Sequence, residues 1–508
     1  MARATSLTLD RLREDGRRFS EEISREHYLA MAGLKPQAEL QPIFTKYRDI
    51  LSADSLALAR DHFRATKEGS EDRRSARILL EWQAEAQSAR ELAPLDEQEM
   101  AWSSSAMIPL PDGSRLQFEM APIEIANGAD RQRRLVIDTA RAQLIERELA
   151  PLKRERLQRE KDITEQLEMA RDYNAAWELL SGIDLADLRT QCEQFLRATA
   201  DMWRETFREF VPRILGIKPE EATRADALAL MRAREFDPSF PAREMESRVQ
   251  AQVRDMGIDP SSSGRIRLDT GERDGKRSRA FCAPVRIPAE VYLVMRPHGG
   301  QTDWSTFLHE LGHALHFAYM RDDYPFEYLW LGDNSVTEAY AMLFDHLMQD
   351  EGWLKRYTDL GANDTRNFLR SAGFEEMQFL RRYCGKIIYE TQLYGGQVRW
   401  ESLQDLYVDV LTSATSFKYS RADAFVDVDP RYYSARYLRA WQHQSLINET
   451  LTGKFDSDWW RNPRAGPWVV QNLFSEGQRE LADEQARRVS GKPLSFAPLV
   501  RKIETLLG

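Results

Sequence analysis

The sequence predicts a mainly α-helical protein with small β elements set between its helices. Three observations predict it. Apolar residues recur at helical spacing in the first hundred residues, at Leu9, Leu12, Phe19 and Ile23 and again at Ile78, Leu79 and Trp82. From Asp130 to Leu180 the chain is long, charged and helical in pattern, interrupted at Pro151. Beyond Thr302 the pattern is almost wholly helical.

Taken in order, Pro36 and Pro94 punctuate the first helical region. The runs 106–110 and 116–120 flank Pro111, Asp112, Gly113 and Ser114, which is hairpin turn chemistry. The segment Lys153 to Lys161 alternates in charge, so it predicts a solvated helix face with i,i+4 ion pairs. Pro238, Phe240 and Pro241 mark a break, and a loop follows at 260–264. These breaks divide the chain into an N-terminal helical lobe, 1–260, and a second lobe, 261–508. Two β-type runs, Ala280–Arg286 and Val291–Met295, open the second lobe. Pro284 and Pro288 disfavour a central strand, so the pair predicts a hairpin with an exposed edge near Val285 or Tyr292. A helix capped near Thr302 or Asp303 comes next.

Composition narrows the function classes. The 508 residues are 42% hydrophobic and 30% charged, enough for a large core and a charged surface. The net charge of -10 argues against nucleic acid or an anionic membrane as partner, since both need a basic face. Three cysteines far apart in sequence suit a reducing compartment better than a disulfide framework. The N-terminal stretch has no apolar leader pattern, and no run is long enough to span a bilayer. A cytoplasmic protein is the expectation; the sequence sets no oligomeric state.

Half of the eight histidines fall between His298 and His316. Within that stretch, His309, Glu310 and His313 form an H-E-x-x-H motif. Residues four apart share a helix face, so His309 and His313 aim two imidazoles at one point. Glu310 is then placed as general base for a metal-held water. One Zn2+ per chain is expected, with a third protein ligand and an open position. His316 shares the face but lies two turns on, about 10 Å along the axis, too far to share an ion held by bonds of about 2.1 Å. It is expected beside the ligands, packing or supporting them. Glu338, one turn into the apolar helix that follows Asp333, is the favoured third ligand; Glu327 and Asp333 are rivals. Asp345, on the same face as Glu338, is placed to hydrogen-bond a ligand histidine.

From about Asp274 to Glu449 the chain resembles the thimet oligopeptidase and oligoendopeptidase F family of zinc peptidases. The residues that carry the resemblance are the runs 275–282, 309–316 and 335–341, with a similar interval from His313 to Glu338. The run Arg382 to Glu390 adds to it. The resemblance implies two helical lobes flanking a deep substrate channel, with a small hairpin or sheet beside the active-site helix. It implies short unstructured peptides as substrates, cut at internal bonds. It also implies a tyrosine donor from a late helix, for which Tyr437 is the best match and Tyr433 its neighbour one turn back. Relatives carry a histidine about ten residues before this tyrosine. Here Phe425 to Pro430 offers none. Arg436, Arg431 and His298 are candidates for holding a peptide terminus. Three rivals stand beside an oligoendopeptidase: an exopeptidase of the same chemistry, an inactive zinc-bound peptide-binding protein, and a helical scaffold using the charged segment Lys153–Lys161.

Overall fold

The computed structural model describes residues 7–508, so the first six residues of the N-terminal stretch read above lie outside it. The protein is mainly α-helical, with one two-stranded and one three-stranded sheet among the described residues. No described helix is long and apolar enough to cross a membrane.

Helix α1 (Leu9–Met31) begins where Thr8 Oγ1 accepts the Arg11 N–H, and its Leu12, Phe19 and Ile23 pack around Ile43, Tyr47 and Ile50. Helix α2 (Glu71–Ser105) runs straight through Pro94, where the sequence predicts a break. Proline removes one N–H, but Arg90 and Pro94 are both exposed, so the freed carbonyl is on a face open to solvent. Strands β1 (Met107–Pro109) and β2 (Arg115–Gln117) form the expected hairpin, with Gly113 at a φ of 84° in the turn.

Helices α3 (Arg131–Leu144) and α4 (Ala150–Gln166) follow, joined by a π-helical turn, with Pro151 at the start of α4. The charged segment of α4 has its i,i+4 pair, Arg156 with Glu160 at 3.1 Å. It also does something the sequence did not predict. Lys153, Arg156 and Arg159 reach across to Glu99, Asp96 and Glu91 of α2, at 2.6, 2.6 and 2.7 Å. Its cations join two helices instead of only facing water.

The chain forms two compact units, each assembled from three segments, where the sequence reading divides it once, at 260. The first unit comprises the described residues up to Gln87, Arg234–Leu369 and Arg439–Leu499; the second comprises Ser88–Ala233, Arg370–Leu438 and Val500–Gly508. The second unit is centred on aromatic packing, with Phe374 stacked on Phe210 at 4.7 Å and on Trp203 at 5.0 Å.

The first unit holds the larger sheet, in the order β3 (Ile266–Asp269), β5 (Glu290–Val294), β4 (Phe281–Arg286). The hairpin β4–β5 is as expected, and β4 is an edge strand, as Pro284 requires. Tyr292 is not at an edge. It lies in the central strand, because β3 adds in parallel on the other side and α1 stacks Tyr28 on its ring at 3.9 Å. Helix α5 (Gln301–Tyr319) packs against both β4 and β5. It starts at Gly300, two residues ahead of the expected cap, because Asp303 turns back to accept the N–H groups of His298 and Gly299.

Helix α6 (Asn334–Asp345) starts at Asp333, whose carboxylate accepts the Ser335 N–H at 2.9 Å. It lies tight against α5. A Cβ on Gly312 would stand 2.6 Å from Ala341 Cα and 2.7 Å from Tyr340 O. Only glycine lets the two backbones come this close, and the close approach is what brings Glu338 toward the histidines of α5.

Candidate metal centre

Two apolar faces hold the site together. Helix α5 buries Trp304, Phe307, Leu308, Leu311 and Leu315; α6 buries Val336, Ala339, Ala341 and Phe344. With those faces fixed, His309 and His313 emerge one turn apart, ring centres 4.9 Å from each other. Glu338 comes from α6 to meet them. Its Oε2 lies 3.4 Å from His309 Nε2 and 3.8 Å from His313 Nε2, and one ligand atom from each of the three lies within 4.8 Å of the others. Ligands around a tetrahedral zinc stand roughly 3.3 Å apart, so the trio fits such an ion with small adjustment. It is the one such group of three or more among the described residues.

Each histidine is turned by a residue of α6. His309 Nδ1 lies 2.8 Å from Asp345 Oδ2, and His313 Nδ1 lies 2.9 Å from Thr337 Oγ1. Asp345 only accepts, so His309 donates from Nδ1; Thr337 can accept from His313 Nδ1 in the same way, and both Nε2 atoms then aim at the shared point. Their protonation differs. Burial would lower the His309 pKa, but the hydrogen bonds to Asp345 and then Glu338 outweigh it and raise it to about 10. Burial dominates at His313 and lowers it to about 4, against the pull of Glu338. Burial would also raise Asp345, but His346 and His309 hold it down at about 2. Without a cation, the cluster keeps a proton on His309.

Glu310 leans toward the sheet. Its Oε2 accepts the backbone N–H of Cys282, on edge strand β4, at 2.7 Å. Burial raises its pKa, with His309 and the Cys282 N–H opposing. A carboxylate anchored by one oxygen, with its pKa raised by burial, is suited to moving a proton.

The other expected residues separate cleanly. His316 is fully buried, donates from Nε2 to Gly477 O at 3.3 Å and packs edge-on to Tyr340; it is a core residue with a pKa lowered to about 3 by burial. Glu327 accepts from Arg13 and Ser75, and Asp333 caps α6 and accepts the Ala482 N–H, so neither rival enters the trio. His298 is exposed, with its backbone N–H on Asp303. Tyr433, Arg436 and Tyr437 open helix α7 (Tyr433–Phe455) and belong to the second unit, as does Arg431. The two tyrosine rings meet edge-on at 5.0 Å, and Arg436 is buried. Sequence reasoning missed Thr337 and the Cys282 N–H. A threonine beside a histidine has no pattern of its own, and a backbone donor has no residue type to read.

A stretch of 144 residues is 25% identical to oligoendopeptidase F, chromosomal, of Lactococcus lactis subsp. cremoris. The stretch is 28% of this chain and 23% of that protein, so the chain spans under a quarter of the curated relative it matches. The likeness to a peptidase is therefore distant and partial. No family model matches the chain.

Proposed function

We propose that this protein is a zinc-dependent oligopeptidase that cuts internal bonds of short, unstructured peptides. The observation that carries the proposal is the convergence of His309, His313 and Glu338 on one point beside the anchored carboxylate of Glu310. Two imidazoles and a carboxylate are a donor set that zinc accepts while keeping a position open. A bound zinc ion supplies a water acidified toward a pKa of about 7 and polarises the scissile carbonyl.

The chain's own groups do the rest. Asp345, which only accepts, keeps His309 in the ligating tautomer, and Thr337 Oγ1 is placed to accept the His313 Nδ1–H that leaves its Nε2 free. Glu310 takes the proton of the attacking water and returns it to the leaving amine, while the Cys282 N–H holds its second oxygen. On β4 the groups nearest the site are already engaged: Cys282 N–H by Glu310 and the Pro284 carbonyl by Ser24 Oγ at 2.9 Å. Substrate therefore meets a partly occupied edge. The oxyanion role of Tyr437 and Tyr433 rests on the resemblance alone.

The test is digestion of a random library of end-blocked peptides, with and without chelator, read by mass spectrometry. Internal cleavage that stops with chelator and returns with zinc is the expected result. Cleavage confined to free termini would make the protein an exopeptidase, and no cleavage with metal bound would make it a peptide-binding protein.

A further inference from the structure

Asp345 uses both of its oxygens. Oδ2 meets His309 Nδ1 at 2.8 Å, and Oδ1 is hydrogen-bonded to Nδ1 of the next residue, His346. The His346 side chain is 7% exposed and that of Asp345 is 15% exposed, so water competes little for either bond. A carboxylate held by one donor still turns about its last torsion, which is broad and soft. A second donor on the other oxygen removes that freedom. It also shares the carboxylate charge between two N–H groups, which limits how far Asp345 draws the His309 proton.

We propose that His346 is a positioning residue of the metal centre, holding Asp345 so that His309 presents Nε2 at a fixed angle. The inference rests on the reading of His309, His313 and Glu338 as metal ligands. His346 also has a backbone role, since its N–H caps the end of α6 on Met342 O and Phe344 O. That role survives any side-chain change, so it does not confuse the test.

The variants are His346→Leu, which removes the donor, and His346→Asn, whose side-chain N–H stands near the place of Nδ1. Zinc affinity is measured by competition with a chelator, the cobalt-substituted spectrum is recorded, and melting of the metal-free protein is followed. His346→Leu should weaken zinc binding by about 10–100-fold and alter the cobalt spectrum, and His346→Asn should recover most of the loss. In an Asp345→Asn background, His346→Leu should add little further. Unchanged affinity and spectrum in a folded His346→Leu protein would overturn the inference. So would an equal loss with and without Asp345. If His346→Leu does not fold, His346→Asn decides: near-normal metal binding supports the role and a full loss overturns it. A parent protein that binds no metal overturns the ligand reading itself, before any variant is made.

Discussion

Two clusters of enclosed charge, one in each unit, are handled in opposite ways. In the second unit Asp226, Asp423 and Asp427 face permanent cations. Asp226 accepts from Arg131 at 2.9 Å and Arg134 at 3.3 Å, and Asp423 accepts from Arg141 at 2.8 Å. Asp427 accepts from Arg382, from Lys386 at 3.3 Å and from Tyr407 at 2.7 Å. In the first unit the acids of α6 face imidazoles: Glu338 faces His309 and His313, and Asp345 faces His309 and His346. A guanidinium closes the charge for good. An imidazole can give up a proton and take a metal in its place. The same apolar burial thus yields a structural network in one unit and a candidate ion site in the other.

The sharpest way to test this difference is to alter acids on both sides. Glu310→Gln should cut peptide turnover by roughly 10²–10⁴-fold while bound zinc, counted by elemental analysis, stays at one per chain. Normal turnover would remove Glu310 from the chemistry. Asp427→Ala leaves Arg382 without its acid, while Lys386 keeps Asp429 at 2.8 Å, and about 3–5 kcal/mol of stability should go with it in denaturant unfolding. Its zinc content should not change. Glu338→Ala should do the reverse, lowering zinc affinity at least ~100-fold with little effect on the metal-free fold. If Glu338→Ala unfolds the protein as Asp427→Ala does, the contrast between the two clusters fails.

Helix approach is the next control. Gly312→Ala puts a methyl against the α6 backbone, so about 1–3 kcal/mol of stability should be lost and zinc should bind more weakly. A variant of normal stability would show that α5 and α6 separate without cost.

Protons give the smallest and most specific signal. In the metal-free protein His309, at about 10, is protonated at neutral pH, and His313, at about 4, is not. Zinc binding near pH 7.5 should therefore release about one proton, seen as buffer-dependent heat in calorimetry, and the release should fade as pH rises through about 10. The metal-free fold should respond too. His309 is raised above its unfolded value near 6.5, so its contribution is complete below that pH and is lost as pH rises through about 10. His313 is depressed, so stability is also lost as pH falls from about 6.5 toward about 4. Thermal melts of chelated protein across this range check both limbs.

Much of the molecule was legible because its signals are local. Helical periodicity showed α1, and turn residues showed the β1–β2 hairpin. The four-residue spacing put His309 and His313 on one face, and the seven-residue spacing put Asp345 on the face of Glu338. Other features depend on partners distant in the chain. The strand β3 gains its place only by pairing with β5, and Pro94 stays helical because its surroundings are open to water. The acids that meet Lys153, Arg156 and Arg159 lie a helix away.

The sequence by itself determined the helical class, two imidazoles at one point, a neighbouring carboxylate and the three acids that compete for the third position. The sequence favoured Glu338 over Glu327 and Asp333 for the third position, and tertiary structure separates the three. It placed Glu338 against the histidines, spent Glu327 on Arg13, and spent Asp333 on a helix cap. The physical reason is Gly312. Helix periodicity sets which way a side chain faces, but how near two helices come depends on what the facing surface allows, and there a missing Cβ brings α6 close enough to complete the site.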